Sequence, residues 1–166
     1  MLKSKKLIYT IAFLSSFFAF KEFGSDPVKD DLAHYIDSDM PKVAYLENEA
    51  VDEYNAILGA KIKDDAVIFK KLTNNIIPVY AQLVLEIKKI KPATKEVQII
   101  HEQYIKAAET QRDGLLLLAS SIEKHNLSEL AKANEQISTG KQQMEEILTS
   151  LNNLANSHGL VLKIPK

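Results

Sequence analysis

The densest group of side chains able to hold a cation lies between residues 30 and 39: Asp30, Asp31, His34, Asp37 and Asp39. On a helix, Asp31 falls one turn before His34 and Asp37 one turn after it, so carboxylate and imidazole donors share a face. Asp31, His34 and Asp37 are therefore the metal-ligand candidates of this chain. They are weak ones, because three ligands on one exposed helix lack the outer partners that fix a metal site. The plainer expectation is that the acidic residues complement the dipole of a helix start and that His34 is solvated. No metal or other cofactor is assigned.

Other chemistry finds less support. Helical bundles that carry di-iron use Glu-x-x-His pairs, and none of His34, His101, His125 and His158 has a Glu three residues before it. The run His101-Glu102-Gln103-Tyr104-Ile105 begins like a zinc-protease motif but ends in Ile105 instead of a second histidine. Ser120 and Ser121 lack the G-x-S-x-G elbow. Glu145-Glu146 and Glu47/Glu49 read as solvated faces rather than acid–base pairs. Tyr54 and Tyr104 read as half-buried tyrosines with wet hydroxyls. The absence of cysteine removes disulfides, thiol catalysis and thiolate zinc sites. One arginine, Arg112, beside 20 lysines and a net charge of -1 gives no footprint for nucleic acid. The expectation is a protein that is not an enzyme.

Binding features are better represented. Leu115 to Leu118 place leucine all round one helix, so Leu116 or Leu117 must point away from a single core. Val84 and Leu85 likewise broaden the apolar arc of the helix before it. An arc that wide means either central burial or a partner surface. Leu116, Leu117, Val84 and Leu85 are the candidates for the latter, toward a protein partner of unknown identity or a second copy of the chain. Gly114 and Gly140 occupy helix interiors, where glycine costs about 1 kcal/mol relative to alanine. Folding their helices about residue 125 brings Gly114 opposite about position 136, within roughly a turn of Gly140. Close packing of the two backbones is the reason expected for both glycines. Gln111 falls in the inward register between Ala107 and Leu115 and needs an internal partner.

The elements that position these residues are helices throughout. Apolar residues recur at intervals of three and four, with no alternating run long enough for a sheet. Asp26-Pro27 opens a first segment, interrupted near Pro41, and the stripe resumes from Val43 to Leu58 before Gly59. Asp64 or Asp65 caps a second helix, which Pro78 should bend by freeing the carbonyl of Asn74. Thr94 caps a third helix ending at His125-Asn126, and Asn126 or Ser128 caps a fourth ending near Gly159. Val161, Leu162 and Ile164 should strap the tail across one end. Short loops make neighbouring helices antiparallel. The expected architecture is all-α, an up-down-up-down four-helix bundle with a short N-terminal helical extension over 27–37. A single long hairpin in which the first two helices run together through Gly59, with Ile62 in phase, is the alternative.

Residues 1–24 form a separate unit. Lys3, Lys5 and Lys6 precede fourteen uncharged residues, Leu7 to Phe20. That is the pattern of a secretory signal, and at about 21 Å it is short of the roughly 30 Å hydrocarbon core. The stretch after Phe20 lacks a small-residue cleavage pair, so an uncleaved anchor is the variant. Contact with a membrane is expected only through residues 7–20, if they are retained. The expected location is extracytoplasmic, secreted or anchored at the cell envelope. Residues 1–24 hold four of the 21 basic and one of the 22 acidic residues, so residues 25–166 carry 17 and 21, a formal charge of -4. A mildly acidic domain disfavours anionic lipid or polymer. These features predict an exported, non-catalytic interaction or structural module, or alternatively a carrier of a metal or a small hydrophobic ligand.

Overall fold

Asp26 starts the first helix: its carboxylate accepts from the backbone N–H groups of Val28 and Lys29, both at 3.1 Å. Pro27 follows at a position that needs no donor. The computed structural model describes residues 25–59 and 64–162, and among these the protein is all-helical, with no strand. The elements are α1 (Pro27–His34), a π-helical turn π1 (Tyr35–Asp39), α2 (Pro41–Gly59), α3 (Asp65–Lys71), a second π turn π2 (Leu72–Ile76), α4 (Ile77–Ile87), α5 (Lys95–Glu123) and α6 (Leu127–Ser157). The signal-like segment 1–24, the junction 60–63 and the end of the tail, including Ile164, lie outside the described residues.

The interruptions at the two prolines take the same form. Each π turn ends two residues before a proline, Pro41 or Pro78. Proline has no N–H for the carbonyl four residues back, and its ring clashes with that carbonyl. The widened turn relieves both problems. Met40 donates to the Tyr35 carbonyl at 2.9 Å, five residues back, and Ile77 donates to Leu72 in the same way. The backbone stays right-handed helical across both sites, so neither proline makes a break. The segment around 27–37 is correspondingly part of the core: Leu32, Tyr35, Ile36 and Met40 are all buried.

Helix α2 folds back on α4 and π2, as the Lys71–Glu53 ion pair and the shared walls of Tyr54 with Ile76 and Ala50 with Tyr80 show. That packing is incompatible with a single rod through residue 59. Helix α4 in turn lies along α5. Asp64 caps α3 through the Ala66 N–H at 2.9 Å. Thr94 precedes α5 but spends its hydroxyl elsewhere, so it makes no side-chain cap.

The α5–α6 hairpin turns through His125, which adopts a left-handed φ of +51°. Asn126 donates to the Ser121 carbonyl at 2.9 Å, and its own side chain accepts from Ser128 and Glu129 to start α6. Gly159, φ +68°, ends α6 in the same kind of motif, with Leu160 donating to Ala155 at 2.8 Å and burying its side chain. Beyond it Leu162 packs on the core while Val161 is exposed.

Helices α5 and α6 are the closest pair. A Cβ on Gly114 would stand 2.7 Å from Cγ1 and 3.0 Å from the backbone N of Ile137. A Cβ on Gly140 would run into Cγ of Gln111, with the Gln111 N at 3.1 Å and the Ala107 carbonyl at 3.3 Å. These crossed contacts, 114 with 137 and 140 with 111, fix the pair as antiparallel. Both glycines are buried at the interface, beside Ala107, Ala108 and Ala133.

Candidate functional site

Polar chemistry in this protein concentrates inside the core. Glu47 on α2 is 2% exposed, and its Oε2 accepts from the Tyr104 hydroxyl of α5 at 3.1 Å. One turn N-terminal on α5, the buried His101 meets Tyr35 of π1, with 3.1 Å between Nδ1 and the hydroxyl. The two rings pack edge to face at 5.6 Å and 83°. Two turns C-terminal, Gln111 Oε1 accepts from the Tyr80 hydroxyl of α4 at 2.9 Å. Helix α5 thus presents His101, Tyr104 and Gln111 to three neighbouring elements.

Burial sets the protonation of this cluster. Removal from water raises the Glu47 carboxyl to about 7 against the pull of the Tyr104 hydrogen bond. Burial likewise raises the Tyr35, Tyr54, Tyr80 and Tyr104 hydroxyls; for Tyr80 and Tyr104 the Glu47 charge adds to it. His101 is lowered, first by burial, and Lys91 pushes the same way. Its Nε2 makes no hydrogen bond among the described residues, yet the carbonyls of Ile87, the last residue of α4, and of Ile90 beyond it lie near enough to His101 to oppose that shift. We place the proton on Nε2 toward those carbonyls, which leaves Nδ1 to accept from Tyr35.

Neither Glu47 nor His101 reads as buried from sequence, although the signal exists. Glu47 is four residues after Val43 and four before Val51, and His101 is four after Val97 and seven before Ala108. Both sit on the inward phase, and their polarity masks it. The expectation of a wet Tyr104 and a solvated Glu47 is corrected: the two pair in the interior.

Next to the cluster is a cavity of about 10 Å³, bordered by Ala50, Tyr54, Ile76, Tyr80, Gln111 and Leu115. It is about the size that admits one water. A larger hollow of about 240 Å³ opens on the surface between α2 and π2, lined by Glu49, Glu53, Asn74, Asn75, Pro78 and Val79.

Within the acidic segment, Asp31 makes a contact between two elements. Asp31 reaches across to the entry of α5, accepting from the Ala93 N–H at 3.0 Å, the Thr94 N–H at 2.7 Å and the Thr94 hydroxyl at 2.6 Å. Partial burial raises its carboxyl, but these hydrogen bonds outweigh it and the net shift is downward. His34 is largely exposed, with Nε2 3.7 Å from Asp39, which also holds Lys42 at 2.9 Å. Asp37 is exposed on π1. Asp31 is thus committed to α5, and among the described residues no three His, Asp or Glu side chains group as metal ligands. At the same end, Asp26 Oδ2 meets His158 Nδ1 at 2.6 Å, joining the start of α1 to the end of α6.

The four candidate partner residues separate. Leu85 on α4 and Leu116 on α5 are 63% and 46% exposed. Leu117 is half-buried against the core. Val84 is 2% exposed, which corrects its place in a partner surface: it packs inside with Leu83 and Ile87. Among the described residues no helix is long and apolar enough to cross a membrane. Comparison with family models, with curated proteins and with solved structures finds no match for the chain.

Proposed function

We propose that the protein is an exported, non-catalytic helical module that acts through its outer surface, binding another protein or a second copy of itself at the cell envelope. In this reading the four rods, α1–α2, α3–α4, α5 and α6, form an up-down-up-down bundle. Residues 1–24 are the address that delivers it. The observation that carries the reading is the closed interior. Glu47 pairs with Tyr104 and Gln111 with Tyr80, and the cavity beside them, about 10 Å³, has room for a water but not for a substrate. Small-ligand pockets hold roughly 300 Å³ or more, above both this cavity and the surface hollow of about 240 Å³ between α2 and π2. Recognition is left to the surface, where Leu85 and Leu116 offer large apolar side chains.

The test uses the full-length chain in its native cells, with a photo-crosslinking residue at position 85 or 116 and a topology reporter at the C-terminus. The expected result is a reporter outside the inner membrane and a discrete adduct from both positions, absent when the crosslinker replaces the exposed Asn134 of α6. A cytosolic reporter, or adducts no different from those at position 134, would overturn the reading.

A further inference from the structure

We propose that the interior is a pH-set latch, closed when Glu47 carries a proton and His101 carries none, and loosened when either group changes state.

Glu47 and His101 are the buried ionisable groups of opposite type in the core, and both sit where α5 meets the α1–α2 rod. No ion pair neutralises Glu47 among the described residues, and its hydrogen bond is from the neutral Tyr104 hydroxyl. The titratable groups that interact with it are Tyr104 from α5 and Tyr80 from α4, with Tyr35 of π1 beyond Tyr104. The buried residues of π2, Leu72 and Ile76, are apolar, and Lys71 at the end of α3 is held by Glu53 at 3.4 Å. An ionised Glu47 therefore has one hydrogen bond and no cation, an arrangement that favours opening to water. His101 has the reverse preference. Around it stand Tyr35 and Asp39 of π1, Lys91 beyond α4 and the carbonyls of Ile87 and Ile90. Burial holds it neutral, so an added proton also favours opening. The π turns that end beside Pro41 and Pro78 are where the helical rods already depart from the regular ladder, and π1 itself carries Tyr35.

Opening thus releases a proton from Glu47 and captures one at His101. In the range where both act, the two dependences oppose each other and the wild type changes little. Single substitutions expose them. In the full-length protein, amide exchange of α2 and α5, corrected for intrinsic rates, is followed from pH 5 to 7.5. Protection should fall with rising pH in His101→Gln, approaching tenfold per unit up to about pH 7. It should rise with pH in Glu47→Gln, and the ratio of Glu47→Gln to wild-type protection should climb about tenfold per unit over the same range. The double variant should be flat. If His101→Gln does not fold, that ratio alone decides. Parallel profiles for wild type and Glu47→Gln would overturn the proposal.

Discussion

Replacing Gly140 by alanine sets two effects of opposite sign against each other. In an unobstructed helix the change gains about 1 kcal/mol of propensity. Here the new methyl group meets Cγ of Gln111, with backbone atoms of Gln111 and Ala107 at 3.1 and 3.3 Å behind it. The Gln111 side chain can yield, but its amide is fixed by Tyr80 at 2.9 Å, so yielding sacrifices that bond. Overpacking costs about 1–3 kcal/mol, and a buried hydrogen bond contributes about 1 kcal/mol. The sum, less the propensity gain, is a net loss of about 1–3 kcal/mol. Urea denaturation, with midpoint and slope both fitted, measures it. The same substitution in a Gln111→Ala background should cost less, since the obstructing Cγ is gone, and the double-mutant cycle reports that coupling. A stabilisation of about 1 kcal/mol in Gly140→Ala, with no coupling to position 111, would refute the close approach of α5 and α6.

Three further outcomes follow from the same contacts. His125→Gly should stabilise the protein by about 0.5–1 kcal/mol, because a left-handed φ of +51° strains any residue with a Cβ; chemical denaturation measures it. Asp31→Asn should destabilise by about 2 kcal/mol at neutral pH, as a charged acceptor for three donors becomes neutral. Because the Asp31 carboxyl is lowered in the folded chain, its contribution is present above the unfolded value of 3.8 and lost as pH falls through the folded one, so the gap to wild type should close in acid. Tyr80→Phe removes the donor to Gln111 and should cost about 1–2 kcal/mol by thermal or urea unfolding, while Tyr54→Phe, at a hydroxyl with no side-chain hydrogen bond among the described residues, should cost less.

Helix content and most helix ends were legible because they depend on local signals: Asp26 and Asn126 as caps, Gly159 as a left-handed stop, and the apolar stripes of α5 and α6. The glycine pair could be placed because a hairpin about a known turn fixes which residues face each other. The effect of the prolines is less local. A bend at Pro78 is a fair expectation from the lost donor, but whether the helix kinks or widens into a π turn depends on what the rod packs against. The Asp31 contact was hidden for a similar reason: an acidic residue near a helix start reads as a dipole partner, and only the tertiary fold brings the start of α5 to it. The polar core was obscured by its own chemistry. A pattern search treats Glu47 and His101 as surface residues because burial of a charge is expensive, and it becomes tolerable only when the neutral forms are kept and Tyr104 and Tyr35 supply partners.

The claim most exposed to measurement is that the Glu47 carboxyl lies inside the core. A ¹³C NMR titration of the glutamate side chains in the folded full-length protein reads this directly, with Glu47→Gln to assign the resonance. The structure predicts one glutamate with a midpoint of about 7 that vanishes in Glu47→Gln. A Glu47 signal that titrates at the ordinary value of 4.5 would contradict it.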